Sequence, residues 1–441
     1  MRSLYLGSAA ALVMIWSGPA AAAAESTQNL EVRVQQLEAA LAEVKAELAA
    51  TRSAAQAQGD QILRIETRPT PPPAPAPMLA DGFRIGPTTV KYGGYVKLDA
   101  MVSSYDGNPA NSDLVRDFLL PGSIPVGGAG SRETHFSARQ TRLWFTTDAT
   151  LSGHKVGSRV EFDFQALPGT GDQRTTSPSN LALRRAYFTV DDWLFGQEWS
   201  AFQNTAVLPE TADYIGPSEG TVFVRQAQVR YHRGPFTVSL ENPESTITPR
   251  GGGTRIVADD SAWPDAVVRL DLKRPYGEFA LAGLVRDLAY KDAGVKARAT
   301  GWGVTASAKL NIGKRDDLRM MITHGEGIGR YVGVNLTNDA VIDASGDLHP
   351  IGLTAGFAAY RHMWTPTLRS TLIYSAQTID NPVTLTGGAA NSSAESVHLN
   401  VVWSPAKSID LGVEAIRGRR ELESGAQGDL NRLAAFAKYG F

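Results

Sequence analysis

Cysteine is absent from the 441 residues. No disulfide framework or thiol catalysis is available, so stability must come from packing, closure of a sheet or assembly. Beyond the first residues there is also no apolar run of the ~18 residues that reads as a membrane helix. Mean hydropathy is only -0.17. An alternating strand hides its apolar half in such an average, so the polar mean excludes a helical membrane protein and not a barrel. Neither sign of charge dominates, with 43 Lys and Arg against 45 Asp and Glu, which gives no electrostatic footprint for nucleic acid. The seven histidines are scattered without ligand spacing, so no metal site is expected. GEGIGR has no following helix and is not a phosphate loop, and no cofactor is expected.

The N-terminal stretch MRSLYLGSAAALVMIWSGPAAAAAES carries a basic Arg2, an apolar segment through Trp16 and small residues before Glu25. Residues 1–24 therefore read as a secretory signal peptide cleaved near Ala24. In residues 25–68, Leu30, Val34, Leu37, Leu41, Val44 and Leu48 follow a 4,3 spacing that continues through Thr51, Ala55, Gln58, Ile62 and Ile65. That is the a/d seam of a coiled coil, and with one such helix per chain it needs other copies of the protein. Thr51, Ala55 and Gln58 weaken its second half. The prolines of RPTPPPAPAPM then make a semi-rigid spacer, and residues 69–91 are assigned to a linker.

Residues 92–441 read as strands of about ten residues joined by connections of alternating length. The short connections are LSGHK, Asp191-Asp192, RGP, RPYG, NIGKRDD, HMWTPT and SPAKS. Long ones fall near 105–133, 167–180, 199–220, 243–264, 289–299, 327–350, 379–394 and 419–429. Sixteen strands result, so the expected fold is all-β: a sixteen-stranded antiparallel transmembrane β-barrel behind an N-terminal α-helical coiled coil. Short turns on one side and long loops on the other are the outer-membrane pattern. The even count returns the C-terminus to the periplasmic side, where the coil must lie. In the closing stretch NRLAAFAKYGF, Leu433, Ala435, Ala437, Tyr439 and Phe441 occupy alternate positions. Such a strand needs an edge to close against, and Tyr439 and Phe441 are expected to form the assembly signal on the membrane face.

Parity assigns the faces. In GGYVKLDAM, Val96, Leu98 and Ala100 face out, with Lys97 and Asp99 inward; in RVEFDF, Val160 and Phe162 face out, with Arg159, Glu161 and Asp163 inward. The same rule puts Arg142, Arg185, Gln226, Gln228, Arg230, Arg269 and Asp271 in the lumen. Six cations then face four anions there. Guanidinium forks suit carboxylate and phosphate oxygens, and charged rings set the ion sign of a pore, so an anion-leaning channel is expected. Arginine outnumbers lysine 32 to 11, which fits such a role and equally fits a GC-rich genome. Arg139, Arg184 and Arg225 break the parity, by snorkelling, a bulge or a subunit interface. They are not assigned to the lumen.

GGYVKLDA, SARQTRLWFTT, EFDF, LRRAYF, GQEWSAF with PETADYIGP, RQAQVRYH and FAKYGF together resemble the DcaP-like outer-membrane porins. The resemblance spans nearly the whole mature chain and implies a homotrimeric channel for small organic anions, dicarboxylates in particular. Expected partners are outer-membrane lipid and lipopolysaccharide, the barrel-assembly machinery and, through the coil, peptidoglycan or a periplasmic protein. Alternatives are a phosphate-selective porin, an envelope tether built on the coil, and a barrel lipase. The last rests on GPSEG at 216–220, which fits G-x-S-x-G but lacks the strand-turn-helix setting of a nucleophile elbow, so no enzyme is expected.

Overall fold

The computed structural model describes residues 82–441 except 111, 166–175 and 293, together with scattered helical positions between 35 and 53. Residues 1–24, expected to be a signal peptide, the residues expected to form the seam, Leu30, Val34, Leu37, Leu41, Val44 and Leu48, and residues 69–81 lie outside the described residues. The chain divides into two units, Met1–Ala76 and Pro77–Phe441.

The second unit is a closed barrel of sixteen antiparallel strands. In chain order, β1 is Thr88–Tyr105, and β2 has two segments, Ser131–Ser137 and Arg142–Leu151. Next come β3 (His154–Asp163), β4 (Ala182–Val190), β5 (Trp193–Trp199), β6 (Arg225–Arg233), β7 (Phe236–Glu241) and β8 (Asp265–Arg274). The second half holds β9 (Gly277–Asp292), β10 (Val295–Ile312), β11 (Asp316–Glu326) and β12 (Gly352–Met363). It ends with β13 (Leu368–Asp380), β14 (Asn391–Ala406), β15 (Ile409–Leu422) and β16 (Gln427–Gly440). Each strand pairs with the next, and β16 closes on β1 from Tyr95↔Gly440 to Tyr105↔Leu430.

Two expectations are corrected. Strand pairing begins before Tyr92: Phe83–Ile85 folds back on the start of β1, with Phe83 opposite Val90, so the linker assigned to 69–91 runs into the sheet. Residues 289–299 are not a long loop either, because β9 and β10 stay in register up to Asp292↔Val295. That hairpin is held by apolar contacts. Leu288 and Ala297 pack with Ile247, Ala258, Ala340 and Leu348 from a small sheet that two loops build at the same end of the barrel.

Alternation yields two unlike faces. Val96, Leu98, Leu281, Val285, Ile322, Leu372, Leu399 and Leu433 are exposed on the outside. Their inward neighbours divide by sector. β1 to β4 present Lys97, Asp99, Glu161 and Asp163, whereas β8 to β13 present Val267, Leu284, Met321, Leu353, Phe357 and Ile373, which pack against Phe202, Val222, Ile328 and Tyr331 of inward-folded loops.

The closing seam depends on a glycine. Gly94 exchanges backbone hydrogen bonds with Phe441 at 3.1 and 3.2 Å. A Cβ at Gly94 would stand 2.5 Å from the Arg142 carbonyl oxygen and 2.9 Å from the Phe441 ring. Deleting Phe441 is expected to lower surface abundance of the assembled barrel several-fold, measured by surface labelling and heat-modifiable migration. Unchanged abundance would refute its role at the seam.

Candidate functional site

The connection between β5 and β6, residues 200–224, does not project outward. It lies against the inner wall, and its polar groups show the route. Asn204 Nδ2 donates to Ser307 Oγ of β10 at 2.9 Å, and Arg319 Nη1 of β11 donates to the Leu208 carbonyl at 2.5 Å. Glu210 receives two bonds from Arg369 of β13, each 2.5 Å, while its carbonyl accepts from Asn400 of β14 at 2.7 Å. The Ala212 amide donates to Glu414 of β15 at 2.6 Å, and its carbonyl accepts from Lys97 Nζ of β1 at 2.8 Å. Tyr214 donates to Asp163 of β3 at 2.7 Å. The chain then returns to β13, where the Gly220 amide donates to Ser375 Oγ at 2.9 Å. Gly220 lies on the wall backbone itself, and any Cβ there would sit 2.1 Å from the Gly356 carbonyl oxygen.

Asp213 ties this loop to the connection between β1 and β2. Its carboxylate accepts backbone bonds from Leu119 at 2.7 Å, Ile215 at 3.0 Å and Gly216 at 3.1 Å. Glu219 is fully buried, accepts from Ser396 Oγ at 2.8 Å, and has its carboxyl pushed above the ordinary value by burial, with His398 opposing. The backbone of a buried loop needs such partners for its polar groups. Here the wall supplies them.

Beside the loop, strands β2 to β6 bring together a cationic cluster. Arg142 lies 3.7 Å from Glu161 and 3.5 Å from Asp163; Arg159 contacts Glu161 at 2.7 Å; Arg185 contacts Glu198 at 2.5 Å. Arg184 also belongs here. The register slips between Glu161↔Arg185 and Phe162↔Leu183, leaving Arg184 as the extra residue of a β-bulge. Both neighbours therefore point inward, and Arg184 binds Glu161 at 2.9 Å and Asp163 at 2.6 Å. Arg225 stacks on Trp199 at 4.7 Å within electrostatic reach of Arg142 and Asp163. Arg139 instead reaches Asp117 of the first long connection at 3.2 Å.

Five guanidiniums, those of Arg142, Arg159, Arg184, Arg185 and Arg225, thus face three carboxylates, Glu161, Asp163 and Glu198. Tyr95, Trp144, Tyr187 and Tyr214 lie under four of them, with centroid distances of 5.2 to 5.8 Å. Each ring holds a guanidinium flat without neutralising it. The buried Arg142 Nε, Arg185 Nε and Arg225 Nη1 have no hydrogen-bond partner among the described residues.

The remaining residues assigned by parity lie apart from this cluster. Lys97 is buried between Asp99 at 2.9 Å, Gln140 and the loop, and serves as a loop anchor. Gln226 and Gln228 are buried; Gln226 donates to Glu241, and Gln228 to the backbone of β5. Arg230 bonds Gln228 at 3.0 Å and the Trp199 carbonyl. Arg269 chelates Asp271 and donates to the Gln203 carbonyl at 2.6 Å. It lines a cavity of about 690 Å³ with Asn204, His232 and Asp271.

A second arginine group, on β11 to β13, is absent from the sequence assignment. Arg315, Arg319, Arg361 and Arg369 line a cavity of about 650 Å³ beneath Leu208, Pro209 and Glu210. Arg319 pairs with Asp317 at 2.6 Å, and Arg361 pairs with the same carboxylate. The parity that located Arg142 also locates Arg319 and Arg361, since Leu318 and Met320 flank Arg319, and Tyr360 and His362 flank Arg361. Ser218 of GPSEG is fully buried with its hydroxyl donated to the Leu119 carbonyl at 3.1 Å, where no nucleophile meets a substrate. The Ser396, His398 and Glu414 series, bonded at 3.1 and 2.8 Å, is equally buried and serves to hold the loop.

The sequence pattern of the DcaP outer membrane protein family matches residues 77–441. The crystal structure of the outer membrane channel DcaP of Acinetobacter baumannii superposes with a TM-score of 0.69 at 26% identity, covering 82% of this chain and all of that one. OmpT of Vibrio cholerae shares the fold at 13% identity and TM-score 0.51, covering 82% of this chain and 100% of its own. OmpF of Salmonella typhi does so at 9% identity and TM-score 0.50, covering 80% and 98%. No curated protein sequence matches significantly.

Asp213→Ala leaves three buried amides without their acceptor, at a cost of ~1–3 kcal/mol for an unsatisfied buried group. The barrel, closed by its own ladder, should still migrate as a folded species. The loop should loosen, seen as noisier single-channel current and new protease cuts within 200–224. Quiet, wild-type current in a folded variant would show that Asp213 does not hold the loop.

Proposed function

Because this chain belongs to the DcaP outer membrane protein family and is a channel of the bacterial outer membrane, we propose that it passes small, preferentially anionic organic solutes, with dicarboxylates favoured. The observation that carries this reading is the excess of guanidinium over carboxylate on β2 to β6, beside a loop that narrows the lumen. A wall of low dielectric strengthens the field of these charges and weakens screening, so carboxylates concentrate there. The arginines on β11 to β13 offer a second set of forks to a solute with two carboxylates. The cations still coordinate one another's carboxylates, so the pore attracts anions without a closed binding site, as diffusive passage requires.

The proposal extends to assembly. The a/d seam of residues 25–68 would join three copies in the periplasm, and the proline-rich segment would let coil and barrel act as separable units. Native mass spectrometry in mild detergent should show a trimer. Monomers alone would overturn this part of the reading.

Reversing Arg142 and Arg185 together to Glu turns two cations of the cluster into anions. Reversal potentials in planar bilayers should move toward cation preference, and dicarboxylate flux should fall by about tenfold or more, the scale of losing a charge-assisted contact. Potentials that stay put in a folded double variant would remove these arginines from selectivity. Faster phosphate than dicarboxylate flux through the wild type would assign the pore to phosphate instead.

A further inference from the structure

We propose that the arginine-lined cavity beneath Leu208 to Glu210 is a binding site for a short aliphatic dicarboxylate, in which the loop's own Glu210 holds the place of one carboxylate. The proposal rests on the anion preference argued above and adds to it a site and a solute shape. Glu210 carries its carboxylate on two methylenes and lays it along one edge of the Arg369 guanidinium. Nε and Nη2 of Arg369 each donate to it at 2.5 Å, the two-point fork that a free carboxylate would use. Other groups aim the fork from behind. Arg369 Nη1 donates to Ser404 Oγ at 2.6 Å, and Asp410, itself paired with Lys438 at 2.7 Å, stands 3.2 Å from Nη2. Arg369 is thus kept in place when Glu210 leaves it.

The pair is built for exchange. Glu210 keeps 26% of its side-chain surface, so a solute reaches it from the cavity. The neighbouring backbone is fixed independently, by Arg319 on the Leu208 carbonyl, Asn400 on the Glu210 carbonyl and Glu414 on the Ala212 amide. The carboxylate can therefore swing out while the loop keeps its path. An ion pair part-open to water contributes little by itself, and an incoming carboxylate restores the same two bonds.

Charge and spacing favour a second carboxylate on the same solute. At this end of the lumen Lys309, Arg315, Arg319, Arg361, Arg369 and Lys438 face Glu278, Asp317, Asp410 and Glu210. In the adjoining turn Lys314 and Asp316 balance, and Glu414 lies further along β15, fully buried beside His398. Once Glu210 is displaced, six cations meet three carboxylates. Arg361 Nε has no hydrogen-bond partner, and Arg315 has no carboxylate partner, among the described residues. Arg361 lies opposite Thr371, two residues along β13 from Arg369. Such diagonal neighbours are about 7–8 Å apart at the backbone, within reach of one short dicarboxylate. Inorganic phosphate, with a single centre, engages one fork only.

The test is current block of the full-length protein in planar bilayers by glutarate, which has the carboxylate-bearing arm of Glu210, with the neutral diamide as control. Glu210→Gln removes a tethered competitor whose effective concentration is roughly millimolar. Apparent glutarate affinity should rise about tenfold, and adding Arg369→Gln should abolish the gain. An equal gain for phosphate would overturn the dicarboxylate assignment. Glu278→Gln removes a carboxylate from the same wall but not from the fork, so an equal gain there would overturn the proposal and assign the effect to net charge. Unchanged or weaker glutarate block in a folded Glu210→Gln channel would also overturn it, leaving Glu210 a loop anchor alone. Should that variant fail to fold, Glu210→Asp, one methylene short of the fork, must raise the affinity; no rise, or failure of both to fold, would overturn the site. Reversal potentials of the wild type read the underlying premise separately: a pore without anion preference would remove that reading, whereas anion preference with no gain in Glu210→Gln would remove this site alone.

Discussion

Hydrocarbon offers no partner for a backbone amide or carbonyl, and the rest of this structure follows from that constraint. A sheet in such a medium must close, since an open edge strands a row of polar groups. Closure here joins β1 to β16 through eleven residues in register and continues into the Gly94 and Phe441 pair. Once the sheet is closed, alternate residues have only two destinations. Leu98, Leu372 and Leu433 meet lipid, and their neighbours, however charged, must share the interior.

Sharing the interior creates a second problem, because charges and apolar surface both converge on it. The protein separates them by sector. Along β8 to β13 the inner face above the arginines carries apolar residues that Phe202, Ile328 and Tyr331 from inward-folded loops bury, together with the buried ion pair of Arg286 and Asp265. Along β2 to β6 the inner face keeps its guanidiniums. The 200–224 loop joins the two regimes, packing Phe202 and Val222 on one side and offering Tyr214 and backbone carbonyls on the other. Most of its anchors involve a charged group meeting a backbone amide or carbonyl, as with Lys97, Asp213, Arg319 and Glu414. Such bonds are stronger than neutral ones, and they fix the path of a segment that has few regular elements of its own.

The bulge at Arg184 shows how a local irregularity changes the electrostatics. In an unbroken strand, successive arginines point to opposite faces and one of them meets lipid. With an extra residue at that position both turn inward, so that Glu161 is shared by the guanidiniums of Arg142, Arg159, Arg184 and Arg185, and Asp163 by those of Arg142 and Arg184. Shared acceptors leave positive charge over, and the aromatic rings beneath the guanidiniums do not cancel it.

The sequence by itself determined the wall. Period-two alternation, the contrast between tight turns such as Asp191-Asp192 and long connections, and the terminal run to Phe441 are local signals, and they are enough for a sixteen-stranded barrel with Arg142, Arg159 and Arg185 inside. The same rule would have found Arg319 and Arg361 had it been applied to β11 and β12. Only the tertiary structure decided where residues 200–224 lie, that Arg184 and Arg225 join the lumen, and that Lys97 is a buried anchor. It alone shows that residues 289–299 extend a hairpin. The physical reason is range. Alternation is set by neighbouring residues, whereas the loop's path depends on partners such as Glu414 and Lys97, which are distant in the chain and meet it only after the barrel has closed.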